Sequence, residues 1–129
     1  MGSGTGIGRV RGLGSAKHGA QHWLQQRLTA MGNLVLVLWL IVSFMLLPAL
    51  DHATVVAWIG APLVAVPLML MTISVFWHLR LGLQVLIEDY VHEEGTKIFT
   101  LLLLNFYAIG GSALALFSIA KIAFAGVAA

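Results

Sequence analysis

LTAMGNLVLVLWLIVSFMLLPAL, residues 28–50, runs for 23 residues without one charged side chain. An α-helix rises about 1.5 Å per residue, so about 20 apolar residues cross the bilayer hydrocarbon. Two further stretches are as long. Residues 53–77 hold 25 uncharged residues, with apolar character continuing past His78 to Ile87, and residues 98–120 hold another 23. Lipid offers no water to backbone N–H and C=O groups, so each stretch must be helical. The expected fold is therefore an all-α membrane protein with three transmembrane helices. Pro48 falls near the end of the first helix. Pro62 and Pro67 fall in the first half of the second, where they are expected to kink it.

Composition agrees. Of 129 residues, 60% are hydrophobic and 9% charged, against about 25% charged in an ordinary soluble domain. A core of this size cannot hide that much apolar surface, which excludes a soluble monomer. The absence of cysteine excludes disulfide scaffolds and thiolate-ligated metal or iron–sulfur sites in this chain. The first apolar run exceeds the roughly 7–15 residues of a signal-peptide core, and no small-x-small cleavage site follows, so it reads as a retained helix.

Four of the seven basic residues, Arg9, Arg11, Lys17 and Arg27, precede the first span; the others are Arg80, Lys97 and Lys121. The high pI thus comes from an N-terminal arm, not from a basic face that could track nucleic acid. Such an arm suits anionic lipid head groups or an acidic partner. The first loop, at Asp51 and His52, carries no Lys or Arg, and the second carries Lys97. Basic residues mark the cytoplasmic side, or the matrix side in an organelle, so the N-terminus and the second loop are expected there. The chain divides into a basic, Gly-rich arm with an interfacial start (1–27) and a three-helix anchor domain (28–129). Residues 20–27 read as an interfacial lead-in anchored by Trp23. The arm has no complete G-x-G-x-x-G and no preceding strand, so it is not a nucleotide loop. In the third span Ala108, Gly111, Ser112, Ala115 and Ser118 form a small-residue face suited to close helix packing.

Ionisable groups inside a membrane are costly, so each is a functional candidate. Nearly all of them lie in FWHLRLGLQVLIEDYVHEE, residues 76–94. His78, Gly82, Val85 and Asp89 are spaced four, three and four, which places them on one helical stripe. Gly82 leaves a gap one turn from His78. A histidine beside a gap suits a flat cofactor such as haem, whose iron takes imidazole nitrogen; a hydrogen bond to a neighbouring helix explains it equally well. If a haem here has two histidine ligands, the second must come from another subunit, because His18, His22, His52 and His92 lie outside or at the edge of the spans. Tyr90 lies 12 residues beyond His78, about 18 Å along the axis and near the interface. There it serves as an aromatic anchor, or its hydroxyl, oriented by Asp89 or fed a proton through it, donates to a ligand carbonyl. A second functional class is a proton- or solute-transport subunit with His78, Arg80 and Asp89 lining a path. Too few polar residues and no inverted repeat stand against it. A cofactor-free assembly factor is the third.

The pattern H-x10-D-Y, from His78 to Asp89 and Tyr90, resembles the small hydrophobic membrane-anchor subunits of succinate dehydrogenase, respiratory complex II, of the type with one haem b. The arm GLGSAKHG (12–19), leading into QRLTA (26–30), is similar to the family's arm and its Arg-x-Thr-Ala helix opening. The resemblance covers about residues 10–125. It implies that His78 is one axial ligand of haem b, shared with a cytochrome b subunit that supplies the other. It implies that Tyr90 hydrogen-bonds the ubiquinone carbonyl, with Asp89 beside it. Arg27 matches the arginine near a haem propionate, and His22, one position off the family's histidine, would join it. The implied partners are the cytochrome b, iron–sulfur and flavoprotein subunits and the lipid bilayer, with FAD and iron–sulfur clusters only in those partners. No group for succinate chemistry is expected in this chain. The implied location is a bacterial or mitochondrial inner membrane, and fumarate reductase anchors are close kin.

Overall fold

The structure, a computed structural model, describes residues 19–125. Arg9, Arg11, Lys17 and His18 of the arm lie outside them. Four helices follow in order: α1 (Gly19–Met45), α2 (His52–Gly60), α3 (Pro62–Tyr90) and α4 (Glu94–Ala125). Among the described residues there is no strand. The three expected spans are present as α1, α3 and α4, of 27, 29 and 32 residues. At 1.5 Å per residue each is about 40 Å or longer, so the ends reach past the hydrocarbon or the helices tilt.

The second apolar stretch differs from its expected form. It is not one kinked span but two helices meeting at Ala61, which is extended (φ −69°, ψ 127°). A residue before proline is pushed out of the helical region. Pro62 then starts α3, where its missing N–H costs nothing. Only Pro67 lies inside α3, which continues through it to Tyr90. At 9 residues, α2 is too short to cross a membrane. It lies at one end of the bundle, with Trp58 stacked on Trp39 of α1 (6.2 Å) and edge-on to Phe44 (5.0 Å).

Exposed carboxylates start two of the helices. Asp51 accepts from the backbone N–H and the hydroxyl of Thr54 at the head of α2. Glu93, which reads as a solvated loop charge in the sequence, accepts from the Gly95 and Thr96 N–H groups at the head of α4. The Thr54 and Thr96 hydrogen bonds hold both carboxyls below their ordinary range. Their contribution is full above the ordinary carboxylate pKa and is lost as pH falls through the lowered folded values.

α3 is central, with α1 against one side and α4 against the other. The α3–α4 contact uses the small-residue face: Ala108 is buried, and a Cβ added to Gly111 would lie 2.6 Å from the Phe76 ring. Gly111→Leu should therefore overpack this interface and cost about 1–3 kcal/mol. Gly110→Ala, at a position with open space around it, should be tolerated. Thermal retention of the detergent-solubilised protein checks the pair, and equal behaviour would refute the packing role.

Among the described residues, the buried ones are Ala65, Leu68, Leu81, Ile87, Leu104 and Ala108. No residue of α1 is buried. Leu34, Val35, Leu38 and Ile41 of α1, and Phe106, Ile109, Leu114 and Phe117 of α4, are all half or more exposed. Apolar surface of this extent is covered by lipid or by other helices.

Candidate functional site

Where α1 crosses α3, both helices present polar or small residues. On α1 these are His22, Gln26, Thr29 and Asn33, spaced four, three and four; on α3 they are Ser74, His78 and Gly82, each four apart. Helical periodicity puts each set on one face. The antiparallel crossing sets them opposite each other. Thr29 Oγ1 lies 3.0 Å from His78 Nδ1. Ser74 Oγ donates to the Thr29 carbonyl at 3.5 Å. A Cβ on Gly82 would lie 3.5 Å from Gln26 Nε2. One turn beyond His78, toward the end that holds Tyr90, the seam opens into a groove of about 600 Å³ lined by His22, Trp23, Gln26, Gly82, Val85 and Glu88 among others.

The seam contains groups with unmet hydrogen-bonding capacity. His22 Nε2, Gln26 Oε1 and Asn33 Oδ1 are buried side-chain atoms without a hydrogen-bond partner. Leaving such an atom unpaired costs about 1–3 kcal/mol, so their side of the seam suits a ligand or partner with polar groups. Gln26, Thr29 and Asn33 are not singled out by the sequence reading. For Thr29 and Asn33 the signal was present, since a polar side chain in a charge-free span needs a partner.

The remaining candidates lie elsewhere. Arg80 faces the opposite side of α3 from His78: its Nε–H donates to Asn105 Oδ1 of α4, and its guanidinium sits 5.3 Å from the Trp77 ring centre. Asn105 in turn donates to the Leu101 carbonyl at 2.8 Å. His78 and Arg80 thus serve two different interfaces and do not line one path, which removes the geometry a transport route would need. Arg27 is exposed and stacks 5.5 Å from the Trp23 ring centre. It lies five residues from His22, about 140° round the helix, so the structure does not bring the two together. The His78 stripe enters the groove through Gly82 and Val85, but the acid lining the groove is Glu88, held by Gln84 Nε2 at 2.8 Å, rather than Asp89. Asp89 is exposed, as is Tyr90, the last residue of α3, at 77%. The Tyr90 carbonyl accepts from His92 Nδ1 at 3.1 Å.

These residues fit one side of a haem site. His78 offers an imidazole whose Nδ1 is engaged by Thr29. Gly82 lets the Gln26 side chain approach the adjacent turn, and in the groove beyond it His22 Nε2 lacks a partner and, as an N–H, would donate to a carboxylate. Among the described residues no second histidine faces His78. His22 is seven residues from Thr29, about 10 Å along α1, and His52 and His92 lie at helix ends.

Three apolar spans, a polar seam and large uncovered apolar faces define a membrane subunit built to work inside a larger assembly. The family described as "Succinate dehydrogenase/Fumarate reductase transmembrane subunit" matches residues 1–124. A "Succinate dehydrogenase hydrophobic membrane anchor subunit" of Rickettsia bellii (strain RML369-C) is 37% identical over 86 residues, 66% of this chain and 68% of that protein. One of Rickettsia conorii (strain ATCC VR-613 / Malish 7) is 28% identical over 104 residues, 80% of this chain and 82% of its own. A "Succinate dehydrogenase membrane anchor subunit" of Reclinomonas americana is 29% identical over 96 residues, 72% of this chain and 80% of its own. No solved structure matches the chain significantly. The chain belongs to the succinate dehydrogenase/fumarate reductase transmembrane subunit family, and is thus a membrane-embedded member of an enzyme complex.

Proposed function

We propose that the chain anchors a succinate:ubiquinone oxidoreductase in a bacterial or mitochondrial inner membrane and shares both a haem b and the quinone-reducing site with its partners. The observation that carries this reading is His78, set deep in α3 beside the Gly82 gap with its Nδ1 held by Thr29. His78 would hold the haem iron through its imidazole, together with a histidine of a cytochrome b subunit. His22, in the groove, would supply a donor for the haem carboxylates and Gln26 adds an amide, while Arg27, exposed elsewhere on α1, would add positive charge at that end of the helix. A bound haem b supplies a one-electron redox centre and a rigid plate between the membrane subunits.

Quinone chemistry belongs to the Tyr90 end. Reduction of a quinone to the quinol takes two electrons and two protons. Electrons would arrive from succinate through the flavoprotein and iron–sulfur subunits. The Tyr90 hydroxyl would donate to one quinone carbonyl oxygen, stabilising the negative charge that develops there. Asp89, exposed beside it, would orient the hydroxyl and return its proton from water. Tyr90 and Asp89 stand at the end of α3 that carries the α3–α4 loop, the side on which α1 begins and Arg27 and Lys97 lie. By the positive-inside rule this is the cytoplasmic or matrix side, where the soluble subunits would dock.

Isolation of the tagged chain from native membranes in mild detergent tests this reading. It should bring down covalently or tightly bound flavin and iron–sulfur subunits, with succinate-driven ubiquinone reduction. Isolation of the chain without flavin, from membranes that hold succinate dehydrogenase activity, would refute it.

A further inference from the structure

We infer that Thr29 is a positioning residue for His78, holding the imidazole as the tautomer that leaves Nε2 unprotonated. Thr29 Oγ1 has three close neighbours: the Gln25 carbonyl at 2.8 Å, the Gln26 carbonyl at 3.1 Å and His78 Nδ1 at 3.0 Å. The hydroxyl has one proton. If that proton pointed to Nδ1, Oγ1 would face two carbonyl oxygens at hydrogen-bond distance with no proton between them. The arrangement that satisfies every contact sends the Thr29 proton to its own helix, to Gln25 and Gln26, as threonine commonly does in membrane helices. Oγ1 then presents a lone pair to His78, and Nδ1 must carry the hydrogen that fills it. A neutral imidazole has one N–H, so Nε2 is left with its lone pair.

The Ser74 hydroxyl, bonded to the Thr29 carbonyl, ties the two helices together at this point, and Gly32 lies beside it, where a Cβ would meet Ser74 Oγ at an ordinary contact distance of 3.6 Å. Thr29 thus fixes both the tautomer and the ring plane from the neighbouring helix. An acceptor on the far nitrogen makes an imidazole a stronger donor and favours the higher oxidation state of a bound metal. This inference rests on the proposal that His78 is an axial haem ligand.

The test uses the whole complex isolated with Thr29→Val, Thr29→Ser or His78→Ala, and reads haem-to-flavin ratio, the haem midpoint potential by redox titration and the electron paramagnetic resonance spectrum of the ferric haem. Valine is close to isosteric but accepts nothing. Thr29→Val should lower haem retention and weaken the preference for the ferric state about tenfold, which raises a one-electron potential by about 59 mV. Thr29→Ser keeps the oxygen and should stay near the parent on all three readouts. If the valine complex loses haem altogether, recovery of haem and potential in the serine complex upholds the inference. A valine complex with parental potential and spectrum overturns it, as does a serine complex shifted as far as the valine one, which would make the threonine a packing residue. An unaltered haem in His78→Ala would overturn the ligand assignment itself, independently of what Thr29 does.

Discussion

Tyr90→Phe should lose most succinate:ubiquinone reductase activity while oxidation of succinate by an artificial dye proceeds as before. The substitution removes one oxygen from a side chain that is 77% exposed at the last position of α3. It leaves the seam and the α3–α4 packing untouched, so folding and subunit assembly should survive. What disappears is the donor to the quinone carbonyl. Loss of a positioned proton donor costs on the order of 10²-fold or more in rate. The dye takes its electrons before they reach the membrane, so its rate reports the flavoprotein and iron–sulfur path alone. A parallel fall in both activities would mean that Tyr90 matters for assembly, and an unchanged quinone rate would leave it as an interfacial anchor. Asp89→Asn should show the same separation to a smaller degree, because it acts on the quinone through Tyr90 and water.

His78→Ala should remove or alter the b-type haem of the complex. Changes to groups that merely support a metal ligand cost about 10- to 100-fold in affinity, so loss of the ligand itself should lower the haem-to-flavin ratio at least as far. The expected signal is a missing or shifted band in the reduced-minus-oxidised visible spectrum. Gly82→Leu offers an independent route to the same loss, since it leaves every donor in place and fills the gap beside Gln26. Haem retained at parental content and spectrum in both variants would exclude the α1–α3 seam as the site.

The spans were legible from composition because lipid punishes charge so strongly that a run without any is nearly unambiguous. Their ends were not. The break at Ala61 follows from Pro62 taking the first helical position, whereas from sequence Pro62 reads equally as a kink inside one long helix. The His78–Gly82–Val85 stripe was legible because 3.6-residue periodicity fixes which residues share a face. Which face of a neighbouring helix lies opposite depends on register and rotation, and these arise from packing between helices. Thr29 against His78, and Asn105 against Arg80, are of that kind. The sequence does carry a trace of the first pair: Thr29 is the threonine of the Arg-x-Thr-Ala opening, a shared feature that has no role until α1 is laid against α3. Arg27 shows the converse. Its position in the motif joins it to His22, while the structure turns the two to different sides of α1.

As proposed, this chain contributes one wall of a haem site inside a succinate-oxidising complex. The most direct measurement is a reduced-minus-oxidised visible spectrum of the complex isolated through the tagged chain, recorded with succinate and then dithionite as reductant, with flavin determined on the same sample. One b-type haem per flavin, with its band lost or shifted by His78→Ala, is the predicted result. A preparation with its full flavin and iron–sulfur complement but no b-type band would contradict the claim.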